Sequence, residues 1–294
     1  MTRRRAVAAL VLVCLIWGVS FTVIKQALAY ASPLVLLGVR FALASAVIGW
    51  SLRGLRREEL RGGLILGFLF WAGFAFQTVG LQYTTPSRSA FLTILSTPIV
   101  PLVQFAIDRT VPRLPTAVAI ALAVAGTWLL TSPGSGGLNR GDVITLGCAV
   151  LFAGQIVAAG HFATKIPIDR LLALELGFCA VLSLATAPVL EVPRLAPETV
   201  FVAMILFLAF TGLWSFRLQL QAQRVLSPTH TALVFTLEPV VASVTSFLVL
   251  GERFAALQLL GGALILAAVA APALERPAPR AVTGSLPDRD RAPT

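Results

Sequence analysis

Two prolines, Pro98 and Pro239, each lie near the centre of an apolar stretch of membrane-spanning length, in matching local sequence. The first reads Ser96-Thr97-Pro98-Ile99-Val100 and the second Leu237-Glu238-Pro239-Val240-Val241. Proline removes an amide donor and clashes with the carbonyl four residues back, so each stretch is weakened at mid-membrane depth. Paired interruptions at corresponding positions in two halves of a membrane chain mark a solute-binding site. One of the pair carries a carboxylate, Glu238. It falls about eleven residues into its span, roughly 16 Å deep at 1.5 Å per residue. A carboxylate held there is a candidate for proton coupling. The competing reading is a structural carboxylate hydrogen-bonded to a neighbouring helix.

Other side chains within the spans join it. Arg40 and Glu175 occupy matching positions in the two halves. In inverted halves they lie at different depths, so a direct ion pair between them is not expected, and Arg40 can attract an anionic solute group or pair locally. Several spans carry a polar or aromatic stripe at helical spacing: Trp17 and Ser20; Gly73, Gln77 and Gly80; Thr93, Ser96 and Thr97; Trp214 and Gln221. Each stripe can line a cavity, and Gln155 lies opposite Ser20 in the repeat. Small residues also serve close helix packing, which is the favoured reading of Gly73 and Gly80. The candidate cavity set is therefore Trp17, Ser20, Arg40, Gln77, Thr93, Thr97, Gln155, Trp214 and Glu238, with Pro98 and Pro239 as the helix breaks. His161 and His230 are read as interfacial, Arg217 as reaching for the membrane edge. Cys14, Cys148 and Cys179 lack metal-ligand spacing and read as small core residues.

The elements that must hold these groups are helices in lipid. The chain is 57% hydrophobic and 12% charged, with a mean hydropathy of +0.88; soluble domains carry about 25% charged residues. Ten spans of roughly 20 residues are expected, at about 6–27, 33–52, 62–82, 86–107, 115–132, 142–163, 168–190, 197–217, 227–250 and 254–272. The net charge of +10 invites a nucleic-acid partner, but its distribution argues against one. With the amino terminus in the cytoplasm, the opposite face holds only Lys25, Arg88, Arg140, Arg194 and Arg253, and Arg40 lies within a span. The remaining lysines and arginines are cytoplasmic, which sets both termini inside. Arg3–Arg5 before an apolar run resembles a signal peptide, yet the run is too long and nine further spans follow, so it is read as a retained first helix.

The chain repeats. Trp17-Gly18-Val19-Ser20-Phe21 matches Phe152-Ala153-Gly154-Gln155-Ile156, and Gln82 matches Gln223. Five spans per half is an odd number, so the second half enters from the other side, an inverted repeat with its site near the midplane between the halves. The organisation expected is a first repeat over 1–133, a Gly-rich linker over 134–141, a second repeat over 142–272 and a disordered cytoplasmic tail over 273–294.

The order and spacing of several short motifs resemble the EamA-type members of the drug/metabolite transporter superfamily over nearly all of residues 5–272. The carriers are Trp17-Gly18-Val19-Ser20-Phe21, Arg40-Phe41, Leu81-Gln82-Tyr83-Thr84, Leu237-Glu238-Pro239, Gly251-Glu252 and Gly261-Gly262-Ala263-Leu264-Ile265. The resemblance implies ten helices in two inverted five-helix repeats around a central cavity, with the fifth and tenth helices at the periphery. It also implies export of amino acids or other small metabolites across a cytoplasmic membrane. One departure is Ile107-Asp108-Arg109 where this family often has Gly-Glu.

The function expected is thus secondary active transport, by alternating access, of small metabolites, amino acids or drug-like solutes. No nucleotide-binding loop, nucleophile motif or metal-spaced cluster is found, so neither an enzyme nor a cofactor is expected. A membrane enzyme acting on a lipid-linked substrate, or a non-transporting sensor or scaffold, are the alternatives. The partners expected are a small-molecule substrate, the bilayer and protons.

Overall fold

The structure, a computed structural model, describes residues 1–108, 114–130 and 137–270. Residues 134–136 of the expected 134–141 linker, the tail from 273, and Arg109 of the departing Ile107-Asp108-Arg109 turn lie outside the described residues. Helix follows helix: α1 (Arg3–Ala27), α2 (Pro33–Ile48), α3 (Arg57–Tyr83), α4 (Pro86–Thr93), α5 (Ser96–Asp108), α6 (Leu114–Leu130), α7 (Arg140–Phe162), α8 (Ile168–Leu190), α9 (Thr199–Gln223), α10 (Pro228–Val234), α11 (Glu238–Leu250) and α12 (Ala256–Ala270). Their starts are written locally. Pro33, Pro86 and Pro228 open α2, α4 and α10, where the missing N–H costs nothing. Asn139 and Asp142 cap α7 reciprocally, and the Glu191 carboxylate accepts from the amides of Leu34 and Val35 at the start of α2.

Eight helical segments are long and apolar enough to cross a membrane, α4–α5 and α10–α11 each counting as one broken span. The expected ten are therefore not all seen at full length. Helices α6 and α12 cover 17 and 15 residues, short of the roughly 20 that a bilayer core requires. Outward faces are apolar, with Leu12, Val47, Phe68, Leu184, Phe210 and Leu248 all exposed, the reverse of a water-facing surface. Together these features describe a multi-pass membrane protein.

The breaks fall one turn before the prolines and are built alike. In the first, Pro98 cannot donate to the Ile94 carbonyl, and the Thr97 amide takes it in a 2.9 Å bond. In the second, Pro239 cannot donate to Phe235 and the Glu238 amide takes that carbonyl, leaving a short 3-10 turn over Phe235–Leu237. Both are the tightened turns expected where an i→i−4 bond is lost. Pro98 and Pro239 are themselves buried.

Packing repeats between the halves. Helix α3 packs on α7 and α8 as α9 packs on α1 and α2, while α1 meets α11 as α7 meets α5; α2 pairs with α8 and α6 with α12. Each end of the bundle is tied. At the end holding the start of α1, Arg170 pairs with Glu59 at 2.8 Å and Arg217 with Asp169 at 2.8 Å, and Arg3 meets His230 at the start of α10. At the other end, buried Arg88 of α4 pairs with buried Asp142 of α7, and Ser87 and Ser246 both donate to Glu252. There Lys25 donates to the carbonyls of Leu81, Gln82 and Thr84, groups that the end of α3 leaves without helical partners.

The α3–α7 crossing depends on absent side chains. A Cβ on Gly80 would lie 2.5 Å from Thr145 Oγ1 and 2.9 Å from the Gly141 carbonyl, and Thr145 is held by its own 2.8 Å bond to that carbonyl. Small residues let membrane helices approach this closely. Gly80→Leu is expected to lower stability by about 1–3 kcal/mol, the usual cost of overpacking. A melting temperature in detergent unchanged from the parent would refute the close-packing account.

Candidate functional site

A cavity of about 60 Å³ opens where the two breaks meet the long helices. Its volume suits several water molecules, each needing about 10–15 Å³. Its walls come from both halves in equivalent positions: Trp17 is matched by Phe152, Ser20 by Gln155, Phe74 by Phe216, and Gln77 by Gln219. Ile94 and Phe235, the two break residues, complete the ring. Burial of these polar groups in a membrane demands partners, and most have them.

Trp17 anchors the site. Its indole Nε1 donates to Ser215 Oγ at 2.8 Å, and its ring lies 5.1 Å from Phe216 and 5.0 Å from Phe235 between centroids, joining α1, α9 and the second break. Gln77 Nε2 donates to Thr93 Oγ1 at 3.2 Å. Gln219 donates to Gln155 Oε1 at 3.3 Å, and Gln155 Nε2 donates to Glu175 Oε1 at 2.8 Å. That chain runs from the cavity wall into the fully buried Glu175.

Two charged groups differ. The Glu238 carboxylate begins α11 at the cavity wall and makes no hydrogen bond with a described residue, so the neighbouring-helix partner of the structural reading is not there. Arg40 also lines the cavity, 3% exposed. Its guanidinium sits 4.5 Å from the Phe41 ring centroid and 5.3 Å from that of Phe74. The three ion pairs among the described residues do not include Arg40, Glu175 or Glu238.

Of the residues that the sequence nominates, the structure gathers Trp17, Ser20, Arg40, Gln77, Thr93, Gln155 and Glu238 around this cavity. Two are placed elsewhere. Trp214 is 46% exposed, stacked edgewise on Phe210 with Arg217 over its ring; it belongs to the outer face of α9. Thr97 is buried, but its hydroxyl donates to the Ala232 carbonyl at 3.1 Å, stitching α5 to α10 instead of lining the cavity. Gly73 and Gly80 pack against Phe152 and Thr145. Sequence reasoning passed over Phe216 and Gln219. The signal was there: Gln77 recurs as Gln219 and Phe74 as Phe216 at one common spacing, and two positions along a helix turn a side chain by about 200°. Trp214→Ala is accordingly expected to leave solute binding within about twofold of the parent, with Trp17→Ala as the contrasting variant that weakens it; equal losses from both would contradict this placement.

Comparison with known proteins agrees with this architecture. The pattern of the EamA-like transporter family matches residues 4–132 and again residues 139–271. An uncharacterized transporter of Archaeoglobus fulgidus is 30% identical over 261 residues, covering 88% of this chain and 83% of its own length. The uncharacterized transporter YyaM of Bacillus subtilis is 26% identical over 270 residues, covering 86% of this chain and 88% of its own. A crystal structure with 18% sequence identity aligns at a TM-score of 0.66 over 93% of this chain and 98% of that one, a likeness of fold. Matched twice along its length and throughout nearly all of it, the chain belongs to the EamA-like transporter family.

Proposed function

We propose that this chain is a secondary active transporter that exports small metabolites, amino acids or drug-like solutes by alternating access. Ten spans, counting α6 and α12, form two inverted five-helix repeats in the cell membrane, with both termini in the cytoplasm. The observation that carries this reading is the cavity at the paired breaks, walled by equivalent residues of both halves. A site at such a seam can be exposed to either side by rocking one half on the other. The ties at the two ends of the bundle are the contacts that such rocking must release in turn: Arg88–Asp142 with the Glu252 serines at one end, Arg170–Glu59 with Arg217–Asp169 at the other.

Glu238 is the coupling residue in this scheme, and no soluble energy source is required of the chain. The test is solute flux in proteoliposomes, with the pH gradient imposed in each direction and a broad panel of metabolites. Flux that follows the gradient supports the reading; a panel carried at the rate of empty liposomes overturns it.

A further inference from the structure

We infer that Arg40 forms an anion-receiving subsite, so that the solutes bound in the cavity carry a compact oxyanion such as a carboxylate. The inference rests on the transporter reading for its biological meaning and on the geometry of one side chain for its chemistry. Arg40 lies within a membrane-spanning helix, 3% exposed, at the cavity wall. Its Nε and Nη1 are both buried without a hydrogen-bond partner. Among the described residues no carboxylate lies within 4.0 Å of it. Trp17, Ser20, Gln77, Gln155 and Gln219 of the cavity wall each hydrogen-bond a neighbouring residue, whereas Arg40 keeps two buried nitrogens without one.

Physical chemistry says what such a group is for. Burying a guanidinium without a counter-charge is costly, and the faces of Phe41 and Phe74 return only part of that cost through the ring quadrupole. The rings lie beside the guanidinium and leave its Nε and Nη1 donors unpaired. A planar fork of N–H donors fits a carboxylate in a way that an ammonium does not. The neighbourhood also leaves room: Gly212 of α9 faces Arg40, and a Cβ there would still lie 3.8 Å from Nη2. Glu238 lines the same cavity, and a second carboxyl group there disfavours dianions. Glu175, held by Gln155, belongs to the wall behind.

The experiment uses the full chain in detergent and reads melting temperature, since a ligand that binds the folded state raises it. The probes are acids beside their own amides: hexanoate and hexanamide, phenylacetate and phenylacetamide, L-leucine and L-leucinamide. At least one acid is expected to raise the melting temperature of the parent by several degrees in a saturable way, with its amide silent. Arg40→Gln is expected to abolish that shift. Arg40→Lys is expected to weaken the affinity about tenfold, one lost charge-assisted hydrogen bond. Arg40→Met, which removes an unpaired buried charge, is expected to melt no lower than the parent without ligand; should it fail to fold, Arg40→Lys still carries the test. Amides that act like their acids, an acid shift that survives Arg40→Gln, or a panel in which no acid acts on the parent would each overturn the subsite. Arg40-dependent binding with no counterflow in proteoliposomes would instead retire the transporter reading and leave the subsite standing.

Discussion

Glu238→Gln is expected to abolish flux driven by a pH gradient while leaving the protein folded and melting at or above the temperature of the parent. Gln keeps the shape and most of the volume of Glu but can neither release nor accept a proton at neutral pH. The parent carboxylate makes no hydrogen bond with a described residue, so the amide forfeits no structural contact. It also relieves the burial of an ionisable group beside an apolar break, where desolvation is expensive. Activity and stability should therefore separate, which a purely structural role would not allow. The companion variant is Glu175→Gln. Its acceptor oxygen can still receive the 2.8 Å bond from Gln155, and it lies behind the cavity wall, so gradient-driven flux is expected to persist. Undiminished gradient-driven flux in Glu238→Gln would remove that residue from the coupling step. Loss in both variants would move the role to the polar chain as a whole.

The second large effect concerns stability. Asp142 is fully buried and collects the Arg88 guanidinium, the Thr84 hydroxyl at 2.7 Å and the Asn139 amide at 3.0 Å. It thus caps α7, fixes the loop after α3 and ties α4 across the seam. Asp142→Ala removes the carboxylate that pairs with buried Arg88, and removing one partner of a buried pair costs about 3–5 kcal/mol. Replacing both partners, as in Arg88→Met with Asp142→Leu, should cost less than Asp142→Ala alone because no charge is left uncompensated. Melting in detergent is the measurement. A single variant that melts with the parent, or a double variant worse than the sum of the singles, would show that this pair is not what holds that end of the bundle. If the pair also serves as a gate, solute exchange should speed up in the double variant relative to its stability loss.

Much of this architecture is visible in the chain before any coordinates. The excess of apolar residues and the spacing of loops place the spans, and α3 begins five residues earlier than hydropathy predicts, where Glu59 reaches back to the Arg56 amide at 2.9 Å, a capping contact no hydropathy window registers. Proline chemistry marks Pro98 and Pro239 as break candidates, since a missing N–H weakens the turn before it. Pro101 and Pro188, however, sit inside the continuous helices α5 and α8, so proline alone does not decide where a helix breaks. The alignment of the broken spans is subtler. The breaks correspond at one spacing, but the caps that open α4 and α10, Thr85-Pro86 and Ser227-Pro228, correspond at a spacing one residue longer, because α4 is eight residues long and α10 seven.

Side-chain direction is where local reading stops. Trp214 and Phe216 are both aromatic, both on α9 and two positions apart, yet one lies on the outer face and the other on the cavity. A helix that is apolar all round carries almost no amphipathic signal, so lipid and protein faces look alike in sequence. Thr97 shows the same limit: a hydroxyl near a break can line a cavity or bond a neighbouring carbonyl, and the approach of α10 settles it. Composition, loop length and proline placement hold within a few residues of chain, so they announce a duplicated membrane bundle with interrupted helices. Which charges end up unpaired, Arg40 and Glu238 among them, depends on distances between residues from opposite halves, and those exist only once the helices have packed.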